Sequence, residues 1–157
     1  MPIKAIMRIY GKRFSVTSCK SKNKKHKCEF YASKKYTHVI LDCDAIYRQQ
    51  KRKGKINDCV FFEQRDTLYV AIVEVKGESY NIDDLKKQFL GGAALAKEIL
   101  KKSQCSNYKM VPILVSTNFS NRTKAKIMRQ MSISIDGKSV PIRLSRCRKS
   151  FSDIVIS

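Results

Sequence analysis

Between Leu68 and Val75 the chain reads Leu-Tyr-Val-Ala-Ile-Val-Glu-Val, apolar at nearly every position. A run this rich in β-branched and aromatic residues suits a central strand covered on both faces, not one with a wet side. A chain holding such a strand must supply a layer for each face, which points to an α/β fold. Ile56 to Phe62 forms a second β-rich run, and only Glu63-Gln64-Arg65-Asp66 and Thr67 lie between the two. Two such runs joined by a short polar connection read as a β-hairpin. A third buried strand is predicted at Met110 to Val115.

The helix between these strands opens at Asn81-Ile82-Asp83-Asp84-Leu85. Asn81 or Asp83 can cap it, and the aspartates of its first turn complement the helix dipole. Leu85, Phe89, Leu90, Ala93, Leu95, Ala96, Ile99 and Leu100 recur at helical spacing until Lys101-Lys102. Gly91-Gly92 falls inside it, where each glycine costs about 1 kcal/mol against alanine, so close packing of helix on sheet is expected there. Residues 36–41 have strand composition and residues 42–50 suit a helix, with Asp42 or Asp44 near its start. Asn121 to Met131 is predicted as a short basic helix. Ser132 to Ile135 and Val140 to Leu144 flank Asp136-Gly137, a strong turn signal, and are predicted to form a hairpin that extends the sheet. Residues 1–17 read as one or two short strands, and Asp153 to Ile156 as a last strand. No repeat or linker divides the chain, so residues 1–157 form one domain.

Charge says more about partners than about fold. Thirty-three Lys and Arg against 13 Asp and Glu give a net charge of +20. A surplus of this size repels itself within a compact fold and is expected to be matched by a polyanion. Nucleic acid comes first, an anionic membrane surface second. Residues 18–27 carry five lysines and no core residues, and form a basic loop or arm. Lys22, Lys24, Lys25 and Lys27 in that arm, Lys51, Arg52, Lys53 and Lys55 around Gly54, and Arg122, Lys124, Lys126 and Arg129 are the candidate phosphate contacts. No apolar run approaches the roughly 18–20 residues that cross a bilayer. The N-terminus lacks the pattern of a signal peptide, so an intracellular chain, cytoplasmic or nuclear, is expected.

Six cysteines are present. In an intracellular chain they argue against a disulfide framework. Cys19, His26, Cys28 and Cys43 offer an alternative, a zinc-stabilised interaction protein, although their spacing matches no standard zinc site. Cys59, inside a strand pattern, reads as a buried small hydrophobe.

The chemistry concentrates where the apolar strand ends. Side chains two apart on a strand share a face, so Glu74 and Lys76 project together while Val75 points into the core. Asp58 on the preceding strand can lie beside them. Two neighbouring carboxylates need a cation, and an oxygen-rich site suits Mg²⁺ or Mn²⁺. The plainer alternatives are an ion pair between Glu74 and Lys76 at a strand end, with Asp58 capping a turn.

Asp58, a gap of 15 residues and then Glu74-Val75-Lys76 resembles the motif of the PD-(D/E)xK nuclease superfamily, with Asn57 where the name calls for proline. The resemblance covers about residues 40–116, and Gln88 resembles the glutamine on the following helix of RecB-like members. It implies a restriction-endonuclease-like core, a mixed sheet flanked by helices in the order αβββαβ. It implies phosphodiester hydrolysis, of DNA first, by Asp58, Glu74, Lys76 and Gln88. Asp58, Glu74 and the carbonyl of Val75 would hold the metal, and Asp42 or Asp44 could supply a further acid. A homodimer fits small members of this kind. The competing class is a nucleic-acid-binding protein without catalysis.

Overall fold

The computed structural model describes residues 2–21, 27–76, 80–117, 119, 124, 126–127 and 132–154. Its first element is helical, not extended. Helix α1 (Pro2–Ile6) runs through a π-helical turn (Met7–Gly11) into α2 (Lys12–Phe14). Ile3, Ile6 and Tyr10 are buried while Met7 and Ile9 are exposed. Burial therefore follows a helical stripe where the sequence mixed apolar with basic residues at close spacing.

The strands follow as β1 (Ser15–Val16), β2 (Cys19–Lys20), β3 (Glu29–Phe30) and β4 (Thr37–Asp42). Helix α3 (Cys43–Gln49) then starts on Asp42, whose carboxylate accepts from the Ala45 amide at 3.1 Å. Next come β5 (Cys59–Gln64), β6 (Leu68–Lys76), helix α4 (Ile82–Lys102) and β7 (Tyr108–Ser116). Asn81 caps α4 by accepting from the Asp84 amide at 3.1 Å. The chain finishes with β8 (Ser132–Ile135), β9 (Lys138–Pro141), β10 (Arg143–Arg146) and a 3₁₀ turn at Phe151–Asp153.

One mixed sheet of six strands, flanked by helices, has the order β1-β4-β5-β6-β7-β10. It is antiparallel from β1 to β6, and parallel from β6 through β7 to β10. Strand β6 is central and buried from Leu68 to Val75. Its even-numbered residues Leu68, Val70 and Ile72 join the core that includes Leu85, Phe89 and Leu95 of α4. Its odd-numbered residues Tyr69, Ala71, Val73 and Val75 join a second core with Phe30, Phe61 and Phe151.

Two expectations about the C-terminal region are corrected. The Asp136-Gly137 hairpin forms, with positive φ at both turn residues as such a turn requires. It does not extend the sheet, because β8 and β9 pair only with each other. Ile133 and Ile135 turn inward to the helix-side core, and β10 takes the sheet edge instead. Asp153 lies in the 3₁₀ turn and not in a strand, and residues 155–157 fall outside the described residues. Of the basic helix predicted at 121–131, Lys124, Lys126 and Ile127 are described and helical.

The cysteine reading is overturned. Cys19 is bonded to Cys59 and Cys28 to Cys147, with Cα–Cα separations of 5.9 and 5.1 Å. Cys43 is outside both disulfides and lies in the helix-side core, so the zinc set built on Cys19, Cys28 and Cys43 cannot form, and His26 lies outside the described residues. Cys59 is buried as expected, but as half of a disulfide. Such bonds are uncommon in the intracellular setting that the sequence led us to expect. The stretch of residues 18–27 is, contrary to expectation, not free of core residues: Cys19 is fully buried in β2, which pairs with β3, and residues 22–26 lie outside the described residues.

Gly91 and Gly92 show why helix α4 tolerates two poor helix formers. A Cβ on Gly91 would strike the backbone oxygen of Lys55, and one on Gly92 would strike the Asn57 side chain and sit 2.6 Å from Ile72 Cγ2. The helix thus rests directly on the segment leading to Asp58. Gly92→Ala gains about 1 kcal/mol of helix propensity but overpacks a tight contact, a change that costs ~1–3 kcal/mol. A lower urea midpoint is expected; an equal or higher one would show that the seam has room.

Candidate active site

The register of β5 against β6 ends with Cys59 opposite Val73. Asp58 is the next residue back and Glu74 the next forward, just beyond the last ladder pair, and the Asp58 amide bonds to the Val73 carbonyl. By alternation along β6, Glu74 belongs to the face that carries Ile72, the face under helix α4. Asp58 is 4% exposed and Glu74 2%, deep burial for two carboxylates.

Backbone contacts fix Asp58 from three sides. Its amide donates to the Val73 carbonyl at 3.1 Å, and its carbonyl accepts from the Cys43 amide at 3.0 Å. Its carboxylate Oδ2 accepts from the Val75 amide at 2.7 Å, replacing a partner that β5 no longer provides. An extended residue points its N–H and C=O to the same strand edge, so the Val75 carbonyl also faces the Asp58 side. The Val75 side chain joins the opposite core, as the alternation of β6 predicts.

Lys76 is half-buried at the end of β6, beside Ser116 of β7. Gln88 is half-buried on α4, one turn before Gly92 and therefore nearer the Glu74 end of the strand. Its Oε1 is buried and accepts nothing from the described residues.

Asn57 is the residue that sequence reading passes over as a loosely held motif position. It is 0% exposed. Its Nδ2 donates to the Cys59 carbonyl at 2.6 Å and to the Val73 carbonyl at 3.3 Å, tying together the strands that carry the two acids. Two inner glycines in α4 are the sequence signal that something packs closely there.

A cleft of about 480 Å³ opens at this end of the sheet, and Asp58 lines it together with Asp42 and Asp44. Its far wall is the segment of Thr17, Ser18 and Lys20, brought there by β1 pairing with β4 and by the Cys19–Cys59 bond. Nothing in the sequence near the motif points to that wall. Asp58 lines the cleft and Glu74 does not. Asp42 also caps α3, and Asp44 stands 3.9 Å from Arg48.

Among the described residues, no three His, Cys, Asp or Glu side chains converge as a metal cluster. Mg²⁺ needs only one or two carboxylates, with waters and substrate oxygens completing its shell. Asp58, Glu74 and the Val75 carbonyl are the groups that would hold such an ion.

The basic candidates are more dispersed. Lys27, Lys51, Lys53, Lys55 and Lys126 are exposed and Lys124 is half-buried. Arg52 pairs with Glu98 at 2.9 Å and stacks on Tyr47, and Lys55 stands 3.7 Å from Asp84. Lys22, Lys24, Lys25, Arg122 and Arg129 lie outside the described residues. No described helix is long and apolar enough to cross a membrane. No protein-family model matches the chain, and no curated protein or solved structure matches it.

Proposed function

We propose that this chain is a metal-dependent nuclease of the PD-(D/E)xK type, hydrolysing phosphodiester bonds of nucleic acid, with DNA as the first candidate. One observation carries the reading: Asp58 and Glu74 are both buried where β5 and β6 part, with Asp58 bonded to the Val75 amide and Lys76 two residues beyond Glu74 on β6. Two carboxylates in that setting repel each other unless a cation or proton intervenes. The element order, helix, β4, α3, the β5–β6 hairpin, α4 and the parallel strand β7, follows the αβββαβ succession with three short strands and α3 inserted.

Asp58 and Glu74, with the Val75 carbonyl, would hold Mg²⁺ or Mn²⁺. When bound, such an ion lowers the pKa of a coordinated water and withdraws charge from the phosphate. Lys76, one strand repeat beyond Glu74, orients the attacking water and offsets charge on the phosphate oxygens. Gln88 offers Oε1 as an acceptor to Lys76 or to that water. Asn57 holds both strands so that the acids stay in register. The charge of +20 supplies salt-sensitive attraction to the polyanion.

The test compares supercoiled, linear and branched DNA in Mg²⁺, in Mn²⁺ and in EDTA. Cutting in the metals and none in EDTA is expected. Tight, salt-sensitive binding without cutting in either metal would replace this reading with a binding module that lacks catalysis.

A further inference from the structure

At the opposite end of the sheet lies a second cavity, of about 490 Å³, unrelated to the acids. Tyr108 pairs with Leu68, and Leu114 with Glu74. Six residues of strand therefore separate the cavity from the level of Glu74, roughly 20 Å at the rise of a β-strand. Tyr108 and Met110 of β7 form one wall, and Val140 and Pro141 of the hairpin form the other. Lys109, Lys138 and Arg143 stand around them. One acid is present, Asp136, and it is already paired with Lys97 at 2.5 Å.

We infer that this cavity binds a nucleotide unit of a single-stranded segment, its base between the Tyr108–Met110 and Val140–Pro141 walls and its phosphate against Lys109, Lys138 and Arg143. The volume lies within the range of small-ligand sites. An apolar slot edged by cations matches the two halves of a nucleotide, a flat ring and an anion. Base contacts of this kind contribute about 1–3 kcal/mol each and accept any base. The walls offer no array of side-chain amides or carboxylates to read a base edge, so binding is tolerant of sequence. The inference rests on the proposed nuclease reading only for the polymer that carries the nucleotide. A strand lying between the two ends of the sheet would be held some three nucleotides from the acids.

Deoxyadenosine monophosphate, added in EDTA to the full chain with labelled methyl groups, is the first probe. Saturable shifts of the Met110 and Val140 methyl resonances are expected, in wild type and in Glu74→Ala alike. The second probe is a short single-stranded oligonucleotide whose affinity is followed against salt. Lys138→Ala with Arg143→Ala is expected to flatten the log–log salt slope by about 0.7, the one phosphate that these residues hold. Unmoved methyl resonances, an unchanged slope or tighter occupation by a fatty acid would each overturn the inference. Loss of cutting in every metal with these binding results intact would remove the nuclease reading and leave the nucleotide site standing.

Discussion

Replacing Glu74 with alanine is expected to lower the cleavage rate about a thousandfold, ~4 kcal/mol of transition-state stabilisation, while DNA binding survives. Glu74 is 2% exposed, and on the proposed reading truncation removes half of the carboxylate charge that would hold the metal. Asp58→Asn is the more discriminating companion. An asparagine oxygen can still accept from the Val75 amide, the 2.7 Å bond that locks Asp58 to β6. The fold should therefore persist, and calorimetric Mn²⁺ binding should vanish with the lost charge. Lys76→Ala should keep Mn²⁺ binding and lose rate. Wild-type cutting by Glu74→Ala would show that these acids are merely structural.

A second large effect is expected far from the acids. Arg65 is largely covered beside Glu63, 2.9 Å away, and Glu63 is 0% exposed. The guanidinium lies 5.0 Å from the Tyr36 ring centroid, 4.9 Å from that of Tyr69 and 4.5 Å from that of Phe151. Glu63 also accepts from the Ser33 amide at 2.6 Å, so the carboxylate ties the segment before β4 to the sheet. Arg65→Ala leaves that carboxylate buried without its cation, which costs ~3–5 kcal/mol. For a chain of this length that is a fall in Tm of roughly 6–20 °C. Adding Glu63→Gln should restore part of the loss, because a glutamine oxygen can still accept from Ser33. A double-mutant cycle measures the coupling. Strict additivity would show that the pair contributes nothing beyond its separate packing.

Legibility of the fold in the sequence depends on how far each signal reaches along the chain. The Asn81 cap, the Asp136-Gly137 turn and the uniform apolarity of β6 are set by neighbours within a few residues, and all three are legible. Asp58 and Glu74 ending neighbouring strands follows from one hairpin, which the two strand patterns already imply. The helix at 2–14 is hidden because Ile3, Ile6 and Tyr10 share their stretch with the exposed Met7 and Ile9, which blurs the helical period. The disulfides join residues 40 and 119 apart, and no local pattern encodes such pairings. The Thr17–Lys20 wall of the acidic cleft is likewise a product of strand pairing alone. Arg65 looks like one polar residue in a turn, and its aromatic surroundings come from separate parts of the chain.

Chain ends usually withstand trimming and fusion, being frayed and lightly held. Here the last described segment is a fastening. Cys147 is joined to Cys28, and the Arg148 amide donates to the Glu29 carbonyl at 2.7 Å. Tyr31 exchanges backbone bonds with Lys149 and Phe151, and the Phe151 ring lies fully buried over Arg65. A stop codon after Arg146 would delete a covalent bond, a core aromatic and one wall of the Arg65 enclosure together. A chain truncated there that fails to express would say nothing about the acids at the other end of β6.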